Sequence, residues 1–199
     1  MDAASFLAWL QGTALAARIR DSLFIFPLLE AAHVIGLALV FGTIAVVDLR
    51  LLGLASTERS VARMASDTLK WTWAAFALTA LTGSLMFTTN AVVYFHNVSF
   101  RTKIALLVLA GINAFVFERT AKRTIDRWDR AASPPPLVKA IATLSLIIWT
   151  AVIFAGRIIG FTTTRAAVSE PAPVEINLEE LLRTPADNGQ TPATPPKSR

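Results

Sequence analysis

Three ionisable residues stand inside stretches that are otherwise apolar. Glu30 and His33 lie in FIFPLLEAAHVIGLALVF, and Arg157 lies in IFAGRIIGF. Charge at membrane depth is costly, so such residues face a partner, a cavity or a ligand. A carboxylate and an imidazole balanced by a guanidinium could pass a proton or hold a small ion, and the imidazole could ligate a haem iron or a metal. Glu30 and His33 are spaced i, i+3 and share one face of a helix. A second histidine, His96, sits in YFHNVSFRTK. Cysteine is absent, which excludes disulfides, thiolate metal sites and thiol nucleophiles. With two His, a multi-His cage is not expected, and no particular metal is indicated. No phosphate-binding glycine loop, HExxH or nucleophile elbow is present. No residue is therefore assigned a catalytic role.

These groups must be positioned by elements that suit a bilayer. Hydrophobic residues make up 54% of the chain and charged residues 17%, an imbalance that a soluble domain of 199 residues would not carry. A hydrocarbon core about 30 Å thick needs about 20 apolar helical residues. Four stretches meet that need: 24–47, 71–95, 100–117 and 137–161. Arg101 and Lys103 extend the short third span by snorkelling to its rim. Pro27 falls in the first turns of span one behind Ser22, a candidate N-cap. The Pro134-Pro135-Pro136 run separates a basic loop from span four. The chain lacks a basic start followed by a clean apolar run, so no cleavable signal is expected.

Residues 1–21 read as an interfacial amphipathic segment, helical over 3–17, with Trp9 at headgroup level. Residues 162–199, rich in Pro, Ala and Thr, read as a disordered tail, with one short helix at EINLEELL. The expected fold is all-α: an integral membrane, antiparallel four-helix bundle with an N-terminal interfacial helix.

Basic residues of short loops stay cytoplasmic. Arg50, Arg59, Arg63 and Lys70 follow span one, and Arg119, Lys122, Arg123, Arg127, Arg130 and Lys139 follow span three. The other side carries Arg18, Arg20, Arg101, Lys103 and Arg165. The bias places both termini outside, which in a bacterium is the periplasm. It also explains the net charge of +5 without nucleic acid as partner. The 119–130 segment then reads as a cytoplasmic anchor, with Asp126 and Asp129 paired to nearby Arg and Trp128 at the interface.

Helix rise sets the depths. With Asp48 and Lys139 as inner ends, Glu30 and Arg157 both stand about 27 Å up, with His33 about one turn deeper than Glu30. Thr88, Thr89 and Asn90 reach a similar level. The expectation is an outer polar pocket of Glu30, His33, Asn90 and Arg157, with Glu30 and Arg157 as an ion pair; the bland alternative is a structural clamp between spans one and four. Gly36, almost one turn beyond His33, leaves room for a flat macrocycle or for a neighbouring helix. Gly156 and Gly160 form a GxxxG suited to close packing, and Asn113 suits an interhelical hydrogen bond. A bis-His haem b would need His33 and His96 at one depth. Counting puts them on the order of 15 Å apart unless residues 91–99 fold back inward.

The stretches LFIFPLLEAAHVIGLALVFGTIAVVDLRLLG, HNVSFRTKIALLVLAGINAFVFE and WTAVIFAGRIIGF resemble an uncharacterised family of bacterial inner-membrane proteins, a domain of unknown function. The resemblance spans most of residues 22–161. It implies four helices and an inner-membrane location, and no activity. More distantly, the plan is similar to copper-resistance membrane proteins and small b-type cytochromes, which implies His33 and His96 as candidate cofactor ligands. Three functions remain in play: a non-catalytic accessory or assembly component with a membrane-protein or homo-oligomeric partner, a haem or metal protein using His33, and a small proton-coupled transporter.

Overall fold

The computed structural model describes residues 2–120, 123, 125–129 and 134–169, with side chains up to Thr162 apart from that of Asp126. Every regular element among the described residues is a helix: α1 (Ala3–Gln11), α2 (Ala14–Asp21), α3 (Ile25–Leu52), α4 (Val61–Thr89), α5 (Ala91–His96), α6 (Val98–Thr120), α7 (Ile125–Trp128) and α8 (Pro136–Ser169). Three of them are long and apolar enough to cross a membrane: α3, α6 and, over Pro136–Thr162, α8. The helix α4 is as long, but threonine, serine and tryptophan lower its mean hydropathy.

The boundaries depart from the expected ones for local reasons. The N-terminal segment is two helices, broken at Gly12 and Thr13. Gly12 closes α1, and the Thr13 hydroxyl accepts from Ala16 N to open α2. Asp2 caps α1 by accepting from Ser5, a contact that holds its carboxyl below the usual range. Ser22 lies two residues ahead of the α3 cap, yet its hydroxyl accepts from both Phe24 N and Ile25 N. The second long helix stops at Thr89, because Asn90 leaves helical geometry at φ −146° and ψ 47° and α5 starts anew. Pro136 is the first residue of α8, where the missing N–H costs nothing. That helix runs on to Ser169, past the expected start of a disordered tail at 162. The EINLEELL stretch and the rest of 170–199 lie outside the described residues.

The extensive interfaces join α4 to α3, α3 to α8 and α8 to α6. Neighbours in this row are antiparallel. Along the α3–α4 seam, Thr72 donates to Thr43 and Gly36 abuts Thr79, so a seven-residue step on one helix matches seven on the other. At mid-height, Val40, Ala75, Ala110, Ile148, Trp149 and Val152 interlock. Asn113 donates to Ile141 O and ties α6 to α8, as expected of an intramembrane amide. At the outer end α1 packs on α5 and α2 on α4, with Arg20 donating to Thr89 O and Val92 N to Gln11 Oε1.

The inner end closes around Arg50. Read from sequence as one loop cation among several, it is fully buried. Its Nε donates to Arg59 O and its Nη2 to Asp129 O. The Asp129 carboxylate accepts from the Ser60 hydroxyl and Ala62 N, while Ser60 accepts from Arg63 N. These contacts cover first-turn amides of α4 that its own helix cannot pair. Gly53, at φ 75°, lets the chain turn beneath this clasp, with its N–H bonded back to Arg50 O. Trp128 is buried with Leu51, Val61, Val138 and Ala142, which corrects its reading as an interfacial anchor. The Asp129 carboxylate thus also serves as a cap on α4.

Replacing Arg50 by Met leaves the carbonyls of Arg59 and Asp129 without this donor. The expected loss is roughly 2–4 kcal/mol of stability, read by denaturant titration of helicity in detergent. An unchanged midpoint would mean that the clasp carries no weight.

Candidate functional site

His33 does not look outward to Glu30 and Arg157; it faces α4. Its Nδ1 lies 3.0 Å from Thr79 O and 3.1 Å from Thr82 Oγ1. A carbonyl only accepts, so Nδ1 carries the hydrogen and donates to it. The Thr82 hydroxyl spends its own hydrogen on Leu78 O or Thr79 O. Nε2 is then the lone-pair nitrogen, and it faces Lys103 Nζ of α6 at 3.4 Å. A doubly protonated ring would set two cations against each other there. The ammonium donating to a neutral imidazole is the arrangement that balances.

Two glycines permit this geometry. A Cβ on Gly83 would stand 2.8 Å from His33 Cε1, so only glycine lets the ring lie on the α4 backbone. A Cβ on Gly36 would collide with Thr79 Oγ1, so the space beyond His33 is taken by a neighbouring helix and not left for a macrocycle. From α8, Gly156 lies along the Lys103 stem, its Cβ position 3.6 Å from Nζ. Its GxxxG companion, Gly160, meets nothing within 4 Å. Four helices thus meet at one polar point: His33 of α3, Thr79, Thr82 and Gly83 of α4, Lys103 of α6 and Gly156 of α8.

The other expected members are elsewhere. Glu30 and Arg157 are both exposed and form no ion pair; the Arg157 guanidinium lies over the Phe161 ring at 4.7 Å. The expected ion pair is therefore corrected: two long side chains near helix ends turn outward instead of crossing an apolar interior. Asn90 is exposed and serves as the joint between α4 and α5. Thr88 and Thr89 return their hydroxyls to Leu85 O and Met86 O of their own helix. His96 is exposed on α5, with Nδ1 2.9 Å from Val92 O and its ring edge-on to Phe95.

The residues present do not fit a haem or a metal. Nε2 of His33, the nitrogen left for a metal, is faced by an ammonium that the metal would have to displace. Among the described residues no three His, Cys, Asp or Glu side chains cluster. Lys103 is the group that sequence reasoning misjudged, as a rim snorkeler. Thr79, Thr82 and Gly83 were passed over as ordinary span residues, although threonines at i, i+3 followed by a glycine suit a buried polar partner on the facing helix.

A methyl group at Gly83 should push His33 off its seat. Gly83→Ala is expected to lose about 1–3 kcal/mol. Gly111, also helical, has nothing within 4 Å of its Cβ position, and Gly111→Ala should gain up to about 1 kcal/mol. Equal effects in a detergent unfolding assay would refute the seating of the ring.

Neither the curated proteins nor the solved structures compared include a match to this chain. The chain matches the Family of unknown function (DUF6644) over residues 6–162. That interval begins within α1 and ends within the outer part of α8, so it takes in every helix that meets at His33. The chain belongs to this family of unknown function.

Proposed function

We propose that the protein is a four-span component of the bacterial inner membrane, an antiparallel four-helix bundle with both termini periplasmic. It serves as a non-catalytic accessory or assembly subunit for another membrane protein or a second copy of itself. The fourth span is α4. It has no charged residue between Lys70 and the end of the helix at Thr89; the hydroxyls of Thr79 and Thr82 return to its own backbone, and that of Thr72 is met by Thr43 of α3. Hydroxyls satisfied in this way cost little in lipid.

The observation that carries the accessory role is the contrast between inside and outside. The polar cluster around His33 is spent on holding helices together, while the outward faces are largely apolar. Only 11% of the apolar window of α6 and 28% of that of α3 are buried. A haem carrier would need His33 Nε2, which faces Lys103, and a transporter built on Glu30 and Arg157 would need groups that stand apart.

Two measurements test this. Alkaline phosphatase fused after Arg199 should be active, and a cytoplasmic reporter at the same place inactive; the reverse pattern overturns the orientation. Purified protein, made with haem and metals supplied during expression, should show no Soret band and no stoichiometric metal. A Soret band that is lost in His33→Ala would replace the accessory role with electron transfer.

A further inference from the structure

An open groove of about 610 Å³ runs between α6 and α8 on the face away from α3 and α4. Thr102 and Leu106 line it from α6, and Leu146, Thr150, Phe154 and Ile158 are among its lining from α8. From Leu146 to Ile158 it follows the helix for about 18 Å. Its wall is almost wholly apolar.

At the Thr102–Ile158 end of the groove, basic residues flank the lining residues in sequence. Thr102 is flanked in sequence by Arg101 and Lys103, and Ile158 is preceded by Arg157. Arg157 is exposed, its guanidinium lying over the Phe161 ring one turn further out. Arg101 is exposed as well, whereas Lys103 turns inward to His33. No carboxylate answers them from these helices. The run Val98–Phe117 contains no Asp or Glu, and neither does Pro136–Ser169. Glu30 of α3, the acid expected at this level, is in no ion pair. The N-terminus of α6, at Val98, adds the positive end of its dipole to the same rim.

We infer that this groove binds one anionic phospholipid, an acyl chain lying along α6 and α8 and the phosphate held at the outer rim by Arg157 and Arg101. Charge complementarity selects the headgroup, because guanidinium matches phosphate geometry. The almost wholly apolar wall suits an acyl chain. The site rests on the reading of the chain as a membrane protein.

The test uses the full chain, delipidated in detergent and then offered dioleoyl phosphatidylglycerol or dioleoyl phosphatidylcholine, with retained lipids counted by native mass spectrometry. Phosphatidylglycerol should be retained about tenfold more strongly, the effect of one charge-assisted contact. Arg157→Gln should remove that preference and Arg157→Lys keep part of it. Ala151→Phe, which fills the groove, should lower retention of both lipids. Circular dichroism confirms that each variant keeps its helices; should Arg157→Gln lose them, Arg101→Gln takes its place. Equal retention of the two lipids, or a preference untouched by both the arginine and the groove variants, overturns the site. A photo-crosslinker at Phe154 that captures a protein chain and no lipid overturns it in favour of a partner helix. Sedimentation with membranes after carbonate washing is scored separately, so that a failure of the membrane reading is not mistaken for a failure of the lipid site.

Discussion

Everything at the outer half of this protein depends on how closely α3 and α4 approach. Two glycines, one on each helix, bring side chain against backbone: Gly36 beneath Thr79 and Gly83 beneath His33. Small residues of this kind let membrane helices pack by contact where water offers no hydrophobic drive. Once the helices are that close, the imidazole has no choice of partner. It reaches Thr79 O on one side and leaves one lone pair for Lys103 on the other. The α3–α4 pair is thereby joined to α6 through a single ring.

The inner half solves the same physical problem differently. There a fully buried arginine and the Asp129 carboxylate close the loop between α3 and α4. Between the two ends the contacts are mainly apolar, apart from the Thr72–Thr43 and Asn113–Ile141 bonds, and α8 packs on both α3 and α6. Polar groups thus fix the register at each end, and the middle supplies packing. What remains is a large apolar exterior, with many large hydrophobic side chains exposed.

Much of the helical layout was legible before the structure. Apolar length placed the long helices, and Asn113 was read correctly as a bond between helices. His33 was singled out because an imidazole in an apolar run must have a reason. Its partners were not legible, because depth counting gives height along a helix and says nothing of azimuth. Glu30 and Arg157 shared a height and therefore looked like a pair, yet each points outward. Lys103 was discounted because its position near the end of a span suggested an easy route to water, while the structure turns its chain inward along Gly156. Arg50 was counted among loop charges, since nothing local in LRLLGL tells a buried guanidinium from a solvated one. Hydroxyl-rich α4 was harder to rank as a span, because composition cannot show that its threonines bond to their own backbone.

The central claim is that His33 is a neutral ring with its hydrogen on Nδ1, held by α4 and accepting from Lys103. Solid-state ¹⁵N spectra of histidine-labelled protein in lipid bilayers test it most directly, with His96→Gln leaving His33 as the sole labelled ring. The account predicts a protonated Nδ1 and an unprotonated Nε2 whose resonance moves when Lys103 is replaced by Met. A ring protonated at both nitrogens, a hydrogen on Nε2, or an Nε2 signal indifferent to Lys103 would contradict it.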